Sequence, residues 1–343
     1  MPRLPMPYFA MRGVMLISRC GWPALWFLTE ESASSIALHS RMPFVPISSP
    51  EPVPIFSGFD YVAVDAERRR VYAAHTASRA LTIVDADSGK VLGQVRVGPI
   101  HGVAVDPATG HVLTGNGSDD TISEVDPVAR TVLRSADVAG TVDAIAFDPG
   151  NGHIYADEDD GTHIFVVDAK TMKSVGAVDL PGHKPEYLAV DPETHDVYQN
   201  IADLGEYVVV DGTTLKVKKT IATPDVTGNH PLQYDAAHRH VLIGGQNATL
   251  AAYDVSGMLL GKTAVQKSID QCSLDQRSHL IACAGSGMVT VLRDNVRGAP
   301  TIVSQTPVER GAHTVGIDEK TGNVWLVWAQ PSGDFVQAFA EKP

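Results

Sequence analysis

The 343 residues include 27 basic and 40 acidic side chains, a formal charge of −13, with 44% apolar residues, 30 Gly and 22 Pro. This charge excludes nucleic acid and argues against an anionic membrane as a partner, since both reward basic patches. Three Cys are too few for a disulfide scaffold and match no zinc spacing, and a chain of this length buries enough surface to fold without one.

In chain order, residues 1–42 stand apart. Apolar stretches at Gly13–Ser18 and Gly21–Leu28 are broken by Arg19 and Cys20 and followed by Glu30 and Glu31. Neither approaches the roughly 18 apolar residues of a spanning helix, so no membrane insertion is expected. An export signal would need one unbroken apolar run and a small-residue cleavage site. Residues 1–42 therefore read as a degenerate export signal or a non-propeller extension, and residues 43–343 as the folded domain.

From Tyr61 onward one phrase repeats: an apolar-Ala-apolar-Asp strand, a turn, an apolar pair, and a second run ending in Asp. Its copies include Tyr61–Asp65 with Leu81–Asp85, Gly102–Asp106 with Thr121–Asp126, Ala144–Asp148 with Ile164–Asp168, and Tyr187–Asp191 with Tyr207–Asp211. Asp235, Asp275 and Asp318 anchor three more. The seven anchors are spaced by 41, 42, 43, 44, 40 and 43 residues, within the range of about 40–50 for a four-stranded propeller blade. The expected fold is all-β, a seven-bladed β-propeller of four-stranded blades. The last repeat stops one strand short, and Val53–Ser57 is expected to supply that strand, so that cutting before about Pro52 is tolerated. Cys272 and Cys283 flank a hairpin and are expected to face each other, bridged in an oxidising compartment and reduced in the cytosol.

Aligning the repeats exposes a second regularity. Five residues before each anchor stand Asp60, His101, Asp143, Glu186, His230, Asp270 and His313, at the start of each innermost strand, so the seven side chains should meet around one mouth of the central channel. Imidazoles and carboxylates from different blades can converge on one divalent cation, and a mixed N/O shell suits Zn, Mn, Fe or Cu better than Ca²⁺. All seven are candidate metal ligands. His101, His230, His313 and Glu186 are the candidate catalytic groups, an unligated His serving as general base. The plainer reading is a polar lining of a wet channel, with the acidic positions part of the scaffold. His75, Asn116 and Glu158, on the next strand of the first three blades, are candidate supporting residues, and Arg310 a candidate contact for an anionic substrate. Asp157–Gly161 reads as a solvated acidic turn. No organic cofactor is expected.

The stretches His101–Pro107, Val71–Tyr72, Ile83–Asp85 and Phe165–Asp168 resemble the repeat of the YVTN (YncE-like) propellers, and the resemblance runs from about Phe59 to Ala340. It implies a seven-bladed propeller, commonly exported and hence periplasmic or secreted, with lactonase-like and lyase-like enzymes among its relatives. The expected function is a metal-assisted hydrolase or lyase acting on a small molecule in the channel, with a lactone as the class the resemblance suggests. The alternative is a non-catalytic propeller that sequesters metal or presents loops to a protein partner.

Overall fold

The computed structural model describes residues 44–54 and 58–342; the reading of residues 1–42 lies outside them. Among the described residues there is no helix, and the strands form seven sheets. Five sheets are consecutive four-stranded antiparallel meanders, blade 1 has the same order, and the seventh recruits strands from the start of the domain. The chain is a seven-bladed β-propeller.

The inner strands are Val62–Asp65, Val103–Val105, Val142–Asp148, Pro185–Asp191, Asn229–Asp235, Ile269–Asp275 and Thr314–Ile317. Each ends at, or one residue before, an anchor Asp, and the anchor recurs for a mechanical reason. One carboxylate oxygen accepts a backbone N–H two or three residues on, closing the turn to the second strand, as in Asp65 to Arg68, Asp148 to Gly150 and Asp275 to Arg277. Such Asx turns favour Asp because its short side chain reaches its own backbone. At four seams the other oxygen takes a donor from the following blade: His195 on Asp148, Tyr234 on Asp191, His279 on Asp235 and Arg69 on Asp318.

The second and third strands are buried on both faces, as in Tyr207–Val210 of the strand Glu206–Asp211, because each blade is sandwiched between two neighbours. Period-2 alternation therefore gives way there to continuous apolar runs, while the outer strands, such as Lys216–Ala222, stay largely exposed. Seven hydrophobic clusters follow from this stacking, one at each seam between adjacent blades. The ring must close for every seam to be covered.

Closure uses an N-terminal strand, but not the expected one. The last strand, Gly333–Glu341, is nine residues long, and its free edge is taken by Phe44–Pro46 and Glu51–Val53. Val53 belongs to the closing segment; residues 55–57 lie outside the described residues. Pro46, Pro50 and Pro52 break the apolar pattern that would mark a strand, yet proline is tolerated on an edge, where its missing N–H faces away from the ladder. The strap also reaches both neighbours. Phe44 exchanges hydrogen bonds with Ser304 and Thr306 of blade 6, and Glu51 pairs with Lys90 of blade 1 at 2.7 Å. Cutting before Pro52 would thus remove the Phe44–Pro46 strand. Phe44 is 3% exposed within the seam between blades 6 and 7, so Phe44→Ala should cost about 3 kcal/mol. A chain beginning at Pro54 should melt below one beginning at Pro43 and expose dye-binding apolar surface, as thermal denaturation with a fluorescent probe would show.

Candidate metal and ligand site at the channel mouth

The inner strands place the seven ionisable residues with the help of local irregularities. In blades 3 to 6 the register between the inner and second strands shifts at this point, between Val142 and Ile145, Glu186 and Leu188, Asn229 and Leu232, and Ile269 and Cys272. A bulge bends the strand and re-aims a side chain, here toward the axis. Tyr187, directly after Glu186, has φ +60°, a conformation costly for a bulky residue and often kept at functional sites. In blade 2 the device is Gly102, whose N–H donates to Asp143 O at 2.8 Å. A Cβ there would lie 2.6 Å from Ile145 N, so only glycine lets His101 come so close to blade 3.

The ring is a network of two arcs. In the first, His101 Nδ1 lies 2.6 Å from Asp60 Oδ2 and 3.4 Å from Asp143 Oδ1. In the second, His230 bridges Glu186 at 2.7 Å through Nδ1 and Asp270 at 2.8 Å through Nε2. Asp270 then meets His313 Nδ1 at 2.5 Å. All seven residues, one from each blade, are thus joined to at least one neighbour by a histidine–carboxylate contact. All remain partly accessible, from 14% for the Asp143 side chain to 42% for His313.

These contacts shift the protonation of the ring residues. Burial pulls His101 down, but hydrogen bonds to Asp143 and Asp60 more than offset it and raise its pKa to about 10. His230 is likewise carried well above its ordinary value by Asp270 and Glu186 despite burial, and His313 is raised by its bond to Asp270. Burial would raise Asp270, yet its two histidines hold it well below the usual carboxylate range. Paired in this way, the three histidines hold a proton more tightly than a free imidazole does, because each faces a carboxylate from another blade.

Charges alternate around the ring except between Asp143 and Glu186. There burial raises Asp143, and nearby Glu186 adds to the effect. Asp157 sits in the same sector, fully buried, with burial and then Asp143 pushing its carboxyl well above the ordinary value. It accepts hydrogen bonds from Ala144 N at 2.7 Å and Gln199 Nε2 at 3.0 Å. The solvated-turn reading is therefore wrong for Asp157. Its neighbour Glu158, the sequence candidate, bonds instead to His163 and to Thr162 N. Along a strand, one residue decides which face a side chain takes, and the alignment was one position off.

The other supporting candidates also point elsewhere. His75 is buried between Phe59, on which it stacks, and Asp334 of blade 7, 2.5 Å away. Asn116 bonds within blade 2 to Thr114, Thr121 and Ser123. Arg310 is exposed in the turn leading to His313.

Below the ring, Tyr61 and Tyr187, from blades 1 and 4, approach with ring centroids 5.3 Å apart, and the Tyr187 hydroxyl accepts from Gln233 Nε2 at 2.9 Å. Gln271 reaches across the axis to Val62, accepting from its N–H and donating to its carbonyl. These side chains narrow the axis below the ring. The opposite end of the axis opens as a separate funnel of about 570 Å³ lined by Asp65, Glu67, Gln276, Arg277 and Glu319. Cys272 and Cys283 are paired directly across the first two strands of blade 6 and form a disulfide.

No protein-family model and no curated protein matches the chain. Among solved structures it is similar to a chain of hydrazine synthase from Kuenenia stuttgartiensis, with a TM-score of 0.72 and 14% identity over 84% of this chain and 97% of that one. The likeness supports the propeller fold. At that identity it says nothing about chemistry.

Asp60, His101 and Asp143 offer three donor atoms within 4.8 Å of one another, with His101 Nδ1 2.6 and 3.4 Å from the two carboxylates, near the roughly 3.4 Å between ligands held at about 2.1 Å in a tetrahedron. Two titration consequences follow for His101. Its folded pKa lies above the unfolded value of 6.5, so its stabilising contribution is complete below pH 6.5 and is lost as pH rises through about 10. The stability gap between wild type and His101→Asn should accordingly shrink from pH 6 to pH 10 in denaturant titrations, and NMR should show the His101 ring titrating near the upper limit.

Proposed function

We propose that the channel mouth binds a divalent transition-metal ion at Asp60, His101 and Asp143 and acts on a small molecule held there, as a metal-assisted hydrolase or lyase. The observation that carries this reading is the convergence of that N/O donor triad next to a carboxylate-rich sector, Asp143, Glu186 and Asp157, where negative charge is least compensated. Imidazole with carboxylate suits Zn, Mn, Fe or Cu. Such an ion would supply Lewis acidity and a more acidic bound water.

The chain's own residues supply the rest. His230 and His313, kept protonated by Glu186 and Asp270, present positive charge and transferable protons to an oxygen that gains negative charge. Tyr61 and Tyr187 narrow the channel below the ring. The resemblance of the repeats to YVTN propellers favours a lactone-like substrate. The Cys272–Cys283 bridge supports an oxidising, periplasmic or secreted setting.

Elemental mass spectrometry of protein purified without a metal-charged resin tests the site. His101→Asn/Asp143→Asn should lose one equivalent of transition metal relative to wild type and, in a panel of lactones, lose activity by about 100-fold or more. Metal content unchanged by the double substitution would overturn the assignment. Metal lost with no turnover in either protein would leave a metal-sequestering propeller.

A further inference from the structure

At the other end of the inner strands a second cluster of histidines and carboxylates sits in the seam between blades 5 and 6. Asp235 ends the inner strand of blade 5, His238 lies in the following turn, and His240 opens the strand His240–Gly245. His279 and Asp294 come from blade 6. His230 and Asp235 are five residues apart on one strand, which places this cluster about 16 Å from the channel-mouth ring.

Part of the cluster belongs to the repeat. His279 Nδ1 contacts Asp235 Oδ2 at 2.7 Å, as His195 contacts Asp148 and Arg69 contacts Asp318 at other seams. The remainder departs from it. The Asp that ends the third strand caps the next turn in five blades: Asp85 on Ser88 N, Asp126 on Val128 N, Asp168 on Thr171 N, Asp211 on Thr213 N and Asp254 on Ser256 N. In blade 6 that place is held by Arg293, which ends the strand Met288–Arg293 opposite Leu280, and Asp294, one residue on, is 1% exposed. Its Oδ2 meets His238 Nδ1 at 3.0 Å and His240 Nδ1 at 2.8 Å, while its Oδ1 is buried with no hydrogen-bond partner.

An orphaned carboxylate oxygen in a buried site is costly unless something satisfies it. The scaffold does not need this arrangement, since the residue making the same backbone bond just after the third strand is Ala86, Ala169 or Gly212 in blades 1, 3 and 4. His238 and His240, two residues apart around the start of a strand, bring two imidazoles to one carboxylate, and the donor atoms of His238, His240 and Asp294 lie within 4.8 Å of one another. Asp235 Oδ2, 3.3 Å from His238 Nδ1, belongs to a separate group with His238 and His279. Ligands at about 2.1 Å in a tetrahedron stand about 3.4 Å apart, close to the separations seen here.

We propose that this seam is a second divalent transition-metal site, with His238, His240 and Asp294 as ligands. The ion takes the place of the protons that the imidazoles now share with the carboxylates and ties blade 5 to blade 6. Entry is through His238 and His279, whose side chains are 13% and 25% exposed. The site is independent of any metal at the channel mouth.

Zn²⁺ titration of the full chain, followed by dialysis and elemental analysis, tests it with Asp294→Asn and His240→Asn. Each should lose one equivalent of zinc that His101→Asn/Asp143→Asn retains, and zinc should raise the wild-type Tm by a few degrees, about the shift expected when ligand exceeds Kd 100-fold, but not that of the seam variants. Equal zinc retention in wild type and seam variants overturns the proposal, whatever happens at the channel mouth. Should the variants not fold, anomalous scattering from zinc-soaked wild-type crystals decides: a peak between His238, His240 and Asp294 sustains the site, and none there removes it.

Discussion

The anchor aspartate is the interaction on which the rest of the propeller depends. With one oxygen it closes the turn that ends each inner strand, and at four seams the other oxygen takes a donor from the following blade. A single side chain thus sets both where a blade turns and how the next one is placed against it. Apolar stacking supplies most of the stabilising energy, through seven seam clusters, but stacking is not directional. At those four seams the hydrogen-bonded carboxylates add direction to the stacking, and seven seams of similar angle are what closes a ring.

Once the inner strands are phased by their anchors, residues at a fixed distance before the anchor must arrive at one mouth. That geometry explains why ionisable groups from seven blades meet without any local motif. It also explains their electrostatics. Crowded carboxylates repel, and the interleaved histidines offset them by remaining protonated, so His101, His230 and His313 are raised together while Asp270 is lowered. The imbalance that remains lies beside Asp143, where Glu186 and the buried Asp157 leave negative charge without an adjacent imidazole. The same logic, a departure from the repeat, separates function from scaffold at the seam of blades 5 and 6. Asp148–His195 and Asp235–His279 are two copies of one latch, whereas Asp294 stands where blades 1, 3 and 4 carry Ala86, Ala169 and Gly212.

Repetition made the fold legible in the sequence, because seven noisy copies of one pattern reinforce one another: the anchors, the blade count, the inner strands and the membership of the channel ring could all be read from spacing. The pairing of Cys272 with Cys283 followed from their symmetry about one hairpin. Features lacking a repeat were harder to see. The closing strap of Phe44–Pro46 and Glu51–Val53 has no second copy and contains prolines, and only the nine-residue edge it covers identifies it. Asp157 was hidden by a one-residue error, since the bulge at Asp143 offsets the two strands.

The sequence by itself determined which residues share a ring, because strand period and blade length are local properties that accumulate regularly along the chain. Only the tertiary structure decided their chemical state. Whether His101 is a base near pH 6.5 or a cation to about pH 10 depends on two carboxylates, 41 residues before it and 42 after it. That the axis narrows below the ring depends on Tyr61 and Tyr187 meeting across it. That Asp294 faces two histidines depends on the blade beside it. Distances between groups remote in sequence control electrostatic and packing energies, and the folded ring alone sets them.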